Sequence, residues 1–242
     1  MKNARVSEMK MRRYGRHIAR DSDRSMMYIF GMDMITTVAA TAVLAFFIGS
    51  VPTAYLLVRR HHQKDIRQEG SGNVGTLNAY EVTRSKTLGI SVLLIDLAKG
   101  ALPMLLLIVF PRGEDTHLAA AVALVAVVAG HNYSPWIGWK GGRGLAPAAG
   151  AALLFSPLFI VAWGVFWVGA FWRSRNVHFG NIAATVLSPF VVLIVPAPFL
   201  AVGAVRIPTA VPLVVAFFLL SALVLLRHAE PLRVLFSSHR HQ

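Results

Sequence analysis

Two short stretches of this chain bring backbone N–H groups and cations together in a way that suits an oxyanion. Gly70-Ser71-Gly72-Asn73-Val74-Gly75-Thr76-Leu77-Asn78 offers the Ser71 hydroxyl, the Asn73 and Asn78 carboxamides and three interleaved glycines. Lys140-Gly141-Gly142-Arg143-Gly144 sets two cations around flexible backbone, just ahead of an apolar run that begins at Leu145. Glycine lets a chain approach a ligand closely with its amides, and a helix N-terminus favours negative charge. The chemistry that fits both stretches is retention of phosphate groups. The second lacks the spacing and the Ser or Thr of a nucleotide P-loop. A plain interhelical turn for the first, and interfacial snorkelling by Lys and Arg for the second, are the structural alternatives.

Four other positions stand out. Asp96 and Lys99 are three apart, so on a helix they share a face. Deep in a bilayer such a pair is costly unless its members meet each other or water. It reads equally as a structural ion pair and, for Lys99, as an anion-binding group. His131 follows Gly130, and His228 closes the last apolar run. The chain has no Ser–His–Asp order, no His-Glu-x-x-His spacing, no paired carboxylates and no cysteine. No metal site and no cofactor are therefore expected.

These loops lie between segments of unusual apolarity. Of 242 residues, 55% are hydrophobic and 14% charged, with a mean hydropathy of +0.57. A soluble domain carries about a quarter charged residues, and a bilayer span needs roughly 20 apolar ones. The expectation is an all-α, polytopic membrane helix bundle of about seven transmembrane segments. Spans are read at Ile35–Val58, loosened near Gly49-Ser50-Val51-Pro52, at Leu88–Phe110, at His117–Trp136, at Gly180–Leu200 and at Val211–Leu226. Leu145–Trp172 reads as one long helix or as two divided near Ser156-Pro157.

Charge chooses between the two. With seven spans, one side collects Arg59, Arg60, Lys64, Arg67, Arg84, Lys86, Lys140, Arg143, Arg173, Arg175, Arg227, Arg233 and Arg240, and the opposite loops hold only Arg112 and Arg206. Cytoplasmic loops concentrate Lys and Arg, so that side is expected to be cytoplasmic. The net charge of +13 is attributed to this asymmetry and to anionic ligands rather than to nucleic acid, since no nucleic-acid-binding motif surrounds the basic residues. Residues 1–33 are expected to form a basic, disordered extension, with a start site assigned too far upstream as an alternative origin. The bundle is expected over 34–230 and a short tail over 231–242.

Taken in order, the motifs resemble those of the acyl-phosphate-dependent glycerol-3-phosphate acyltransferases of bacterial membranes, the PlsY type. The resemblance runs from Gly49-Ser50-Val51-Pro52-Thr53-Ala54-Tyr55 through Asp65, Arg67 and the Gly70–Asn78 loop to Asp96-Leu97-Ala98-Lys99-Gly100-Ala101-Leu102-Pro103. It continues with Gly130-His131 and Trp139-Lys140-Gly141-Gly142-Arg143-Gly144 and closes at Leu225-Leu226-Arg227-His228, so it covers roughly residues 45–230. It implies a multi-pass protein of the bacterial plasma membrane with its active face cytoplasmic. It implies transfer of a fatty acyl group from acyl phosphate to the 1-hydroxyl of sn-glycerol 3-phosphate, giving lysophosphatidic acid and phosphate, with membrane lipids and an upstream acyl-phosphate-producing enzyme as partners.

By the same resemblance Ser71, Asn73, Arg143 and His228 are the catalytic set. Gly70, Gly72, Asn78, Lys99, Lys140, Gly141, Gly142 and Gly144 are the phosphate-binding set. Glu81 stands where members carry an arginine, His178 where they carry a serine and Pro231 where they carry an asparagine. These departures keep open a second reading, a divergent paralogue that binds or transports a phosphate-bearing lipid or metabolite.

Overall fold

The computed structural model describes residues 34–110, 116–195 and 210–228; the expectations for residues 1–33 and 231–242 lie outside them. The chain divides into a unit of residues 1–39 and one of residues 40–242. Residues 34–39 of the first are helical. The second contains every feature discussed below, and all its regular elements among the described residues are helical.

In the second unit α1 covers residues 40–50 and α2 Thr53–His62, so the helix breaks at Val51-Pro52. Proline cannot donate to the preceding turn, which explains the break. A one-turn 3-10 helix at Ile66–Gln68 leads into the first glycine loop, followed by α3 (Thr76–Thr83) and α4 (Lys86–Val109). Ser85 caps α4, its hydroxyl accepting from Leu88 N–H. Next come α5 (Thr116–Asn132), a second 3-10 turn at Pro135–Ile137, and α6 (Leu145–Phe155). The last three are α7 (Pro157–Ser174), α8 (Val177–Ile194) and α9 (Ala210–Arg227). The ambiguous stretch is thus two helices, divided at Ser156-Pro157 with proline opening the second.

Five helical segments among the described residues are long and apolar enough to cross a membrane: Met34–His62, Lys86–Val109, Thr116–Ile137, Pro157–Ser174 and Val177–Ile194. Leu145–Phe155 and Val211–Arg227 are apolar but shorter. At 1.5 Å per residue the 11-residue α6 reaches about 16 Å, roughly half the hydrocarbon thickness. The fold is a polytopic membrane helix bundle.

Packing relies on small residues, as membrane bundles do. The most extensive helix pairs are α7 with α8 and α4 with α6. At the second pair the backbones interlock: a β-carbon at Gly100 would collide with the Pro147 carbonyl, and one at Gly150 with that of Leu97. Helix α5 buries Ala119, Ala120, Ala123, Leu124, Val127 and Val128. Phe159 stacks on Phe217 with ring centroids 3.7 Å apart, joining α7 to α9. A separate cluster of Ala54, Val58, Ile66, Val74, Ala79, Leu88, Val92 and Ile137 lies beneath the first glycine loop. Outward faces stay apolar; Val161, Val165, Val168 and Trp172 are all at least 60% exposed along one stripe of α7, which suits lipid and not water.

Helices α2, α3 and α7 end on residues in left-handed backbone, Gln63, Arg84 and Arg175, whose N–H groups return to Arg59, Tyr80 and Phe171 carbonyls. Such caps close a helix by satisfying one of its last carbonyls.

Candidate active site

The first glycine loop is built around Asn78. This buried side chain sits in the first turn of α3, and its NH2 donates to the carbonyls of Ile66 (3.2 Å), Glu69 (3.1 Å) and Asn73 (3.0 Å). Its oxygen accepts from Ser71 N–H at 3.0 Å. Gly70 and Gly72 take φ of +57° and +68° to pass around it. Asp65 caps the 3-10 turn and grips the Arg67 guanidinium at 2.6–3.2 Å. That bond to Arg67 holds the Asp65 carboxyl below its ordinary pKa, against the opposing effect of partial burial. Arg67 in turn donates to Ile137 O at 3.2 Å, fastening the first loop to the segment that carries the second.

The second loop is held from two sides. Gly141 N–H donates to Asn132 O (3.1 Å) and Gly142 N–H to His131 O (3.0 Å), so both amides are used within the chain. Their carbonyls accept from Arg227 at 2.8 and 3.1 Å. Between these anchors Arg143 projects half-buried, and Gly144, at φ +84°, starts α6. Lys140 is exposed. Lys99 is buried and directs its ammonium to Asp96 Oδ1 and to Val51 O, each at 2.9 Å. The cation thereby braces the break between α1 and α2. Asp96 also lies 3.9 Å from His131 Nδ1.

These anchors surround a cavity of about 280 Å³. Asn73, Gly75, Thr76 and Leu77 line it from the first loop and α3; Asp96 lines it from α4, Arg143, Gly144 and Ala146 from the start of α6, and His131 and His228 from the ends of α5 and α9. His178 and Asn181 complete the wall from the first turns of α8. Asp96 is ten residues into α4, about 15 Å from its start, so the cavity is inset rather than superficial.

Of the three imidazoles that line this space, those of His228 and His178 have opposite polarity. His228 Nδ1 lies 2.8 Å from Val224 O. A carbonyl only accepts, so Nδ1 carries the proton and Nε2, buried with no hydrogen-bond partner among the described residues, is a lone-pair acceptor. Burial first of all lowers the His228 pKa to about 4, with Arg143 and His178 nearby adding to the effect. His178 Nδ1 lies 3.5 Å from the Arg143 guanidinium. Because arginine only donates, that nitrogen accepts and the Nε2–H is the donor.

Of the residues expected to form the site, Asn73, Arg143, Gly144 and His228 meet at the cavity. Ser71 is exposed outside its wall, while Gly70, Gly72, Asn78, Lys99, Gly141 and Gly142 stand behind it as the framework just described. From sequence His178 stands out only as a departure, and Asn181 is not among the expected site residues. Their i, i+3 spacing at the start of a helix is the signal that groups them. Among the described residues no group of three or more His, Asp or Glu side chains is arranged to hold a metal ion.

A helical membrane bundle with an inset cavity that offers a cation and neutral hydrogen-bonding side chains is an integral membrane protein suited to a polar, anionic ligand. Residues 39–238 match the family model described as glycerol-3-phosphate acyltransferase. The chain is 36% identical over 200 residues to a glycerol-3-phosphate acyltransferase of Geobacter sulfurreducens, covering 83% of this chain and 94% of that protein. It is 39% identical over 151 residues to glycerol-3-phosphate acyltransferase 2 of Moorella thermoacetica, 62% of this chain and 75% of that one. Among solved structures, the glycerol 3-phosphate form of PlsY (YgiH), an integral membrane glycerol 3-phosphate acyltransferase, superimposes with a TM-score of 0.69 at 25% identity over 83% of this chain and 92% of that one. Its lysophosphatidic acid form gives 0.67 at 26% identity with the same coverage. The chain belongs to the glycerol-3-phosphate acyltransferase family.

Proposed function

We propose that this protein transfers a fatty acyl group from an acyl phosphate to the 1-hydroxyl of sn-glycerol 3-phosphate, with the cavity opening to the cytoplasmic side of a bacterial plasma membrane. The observation that carries this reading is the meeting of Arg143 and the free acceptor nitrogen of His228 in one inset cavity of a chain of this family. The hydroxyl oxygen attacks the acyl carbonyl carbon and the bond from that carbon to the phosphate oxygen breaks. Phosphate leaves with the electron pair, and the hydroxyl proton passes to a phosphate oxygen. With a pKa near 4, His228 is too weak a base to take that proton; its Nε2 accepts the hydroxyl hydrogen bond and aims the oxygen. Acyl phosphate already has a good leaving group, so alignment and charge neutralisation supply the catalysis.

Arg143 is the cation placed to neutralise phosphate, with Asn73 beside it. Ser71, Gly70, Gly72, Asn78, Gly141, Gly142 and Gly144 hold the two loops in register. Lys99 and Lys140 contribute positive potential from behind and outside the cavity. Acyl phosphate would come from an upstream acyl-phosphate-producing enzyme, and membrane lipid surrounds the acyl chain.

Purified protein in detergent, given palmitoyl phosphate and glycerol 3-phosphate, is expected to release phosphate and form lysophosphatidic acid. Arg143→Ala should lower turnover by about a hundredfold or more. Binding of both compounds without phosphate release from the native chain would reject the transferase in favour of a binding or transport protein.

A further inference from the structure

A short aromatic stretch leads from α5 into the second glycine loop. Trp136, in the 3-10 turn, and Trp139, just past it, are 63% and 59% exposed, and Lys140 beside them is exposed as well. None of the three lines the cavity. Trp136 stands one residue from the end of the apolar segment Thr116–Ile137, which is where a span meets the membrane boundary. Its indole N–H donates to Ser50 Oγ at 2.8 Å, and the neighbouring Ser134 hydroxyl donates to Ser50 O at 2.6 Å. The ring leans on Phe47, with centroids 6.4 Å apart, and Phe47 is itself 50% exposed within the apolar segment Met34–His62. The lipid-facing surface of α1 thus continues onto Trp136. Trp139 has a φ of +63°, left-handed backbone that bulky side chains rarely take, held by its N–H bond to Ser134 O at 2.8 Å. Gly138 before it has open space where a β-carbon would lie, so this corner projects from the packed helices. At its tip the Trp139 indole N–H and the Lys140 ammonium have no hydrogen-bond or ionic partner among the described residues.

We propose that Trp136, Trp139 and Lys140 form a docking site, outside the cavity, for the headgroup region of an anionic bilayer phospholipid. Indole rings favour the membrane boundary, where the ring meets acyl chains and the N–H meets an ester or phosphate oxygen. Lysine lays its stem along apolar surface and brings its ammonium to the phosphodiester. Trp136, already pinned to Ser50, supplies the apolar floor, and the unspent donors of Trp139 and Lys140 supply the polar rim. A phospholipid satisfies both at once, whereas a free phosphate would leave the rings in water. Seated there, the lipid sets the height in the membrane of the loop that carries Arg143. The site does not depend on acyl transfer, because a bilayer phospholipid is not a reactant in that chemistry.

Native mass spectrometry of the purified protein tests this, with Kd taken from the fraction that retains added lipid. Phosphatidylglycerol and phosphatidylcholine of matched acyl chains are compared. The native chain is expected to hold phosphatidylglycerol about fivefold more tightly, the worth of one lysine near an anionic lipid surface. Lys140→Gln should erase that preference. Trp139→Phe, which keeps a ring and loses the indole N–H, should weaken both lipids alike by about fivefold, one neutral hydrogen bond. Arg60→Gln, at an exposed position near the end of α2, should leave the preference in place. If Arg60→Gln erases it as fully as Lys140→Gln, the effect is diffuse surface charge and the site is overturned. Unchanged constants in Lys140→Gln and Trp139→Phe that melt like the native chain overturn it too. So does displacement of phosphatidylglycerol by an equal concentration of inorganic phosphate, the mark of a free-anion site. A phosphatidylglycerol with a photoactivatable headgroup tests the native chain without any substitution. Its crosslinks should map to residues 134–140, and their absence there would overturn the proposal.

Discussion

At Asn78 the side-chain NH2 meets three backbone carbonyls while its oxygen meets Ser71 N–H, so a single residue organises the loop that puts Asn73 on the cavity wall. Leaving buried carbonyls unpaired costs about 1–3 kcal/mol each. Asn78→Ala should lower the melting temperature and abolish phosphate release together, which paired melting and activity assays will read. His228 differs, because its Nε2 has no hydrogen-bond partner among the described residues. His228→Phe should retain the fold yet lower turnover by about a hundredfold, the effect of a misaligned nucleophile, in the same phosphate-release assay. Since burial depresses its pKa from 6.5 to about 4, the unfolded chain takes up this proton before the folded one. The contribution of His228 to stability is thus complete above pH 6.5 and is lost as the pH falls from there through about 4. The His228→Phe variant should lack that part of the acid dependence of melting.

Helix α4 shows how an element is located by what it can approach. Gly100 lies against Pro147 of α6, and Gly150 returns the contact against Leu97. This brings Asp96 to the cavity that Arg143 enters. Gly100→Ala is expected to destabilise the protein by about 1–3 kcal/mol through overpacking, seen as a lower melting temperature in detergent. Much of this level is legible from composition: prolines mark the breaks at Val51-Pro52 and Ser156-Pro157, and apolar runs mark the spans. Direction is not legible. Three glycines in five residues around Arg143 announce a special loop, but the amides of Gly141 and Gly142 turn inward to Asn132 and His131, so the loop meets the cavity through Arg143 and Gly144, which follow them. Likewise the Asp96–Lys99 spacing predicts a shared face, whereas the Val51 carbonyl that takes the ammonium comes from a helix break 48 residues earlier. A polar residue with two equal uses, framework or ligand, is resolved only by its neighbours in space.

For the molecule as a whole, the cavity draws on the C-terminal ends of α5 and α9 and the N-terminal ends of α6 and α8, so these helix ends gather on one side with the two glycine loops. Positive-inside counting leads us to propose that this side is cytoplasmic. The chain has no cysteine, which makes single-cysteine labelling clean. Lys64 is 46% exposed and its 3.6 Å pair with Glu69 is a surface contact of little worth, so Lys64→Cys should leave the fold intact. A membrane-impermeant maleimide is expected to label it in inside-out vesicles and not in intact cells; the reverse pattern would invert the topology. The left-handed caps at Arg84 and Arg175 bear on the same asymmetry. Glycine would adopt that backbone with about 1–2 kcal/mol less steric strain. Retaining arginine there means the chain tolerates poorer local geometry in exchange for fixed positive charge where two hydrophobic rods emerge. Replacing either with glycine to gain heat resistance would erode the electrical signal that tells the nascent polypeptide which way to face.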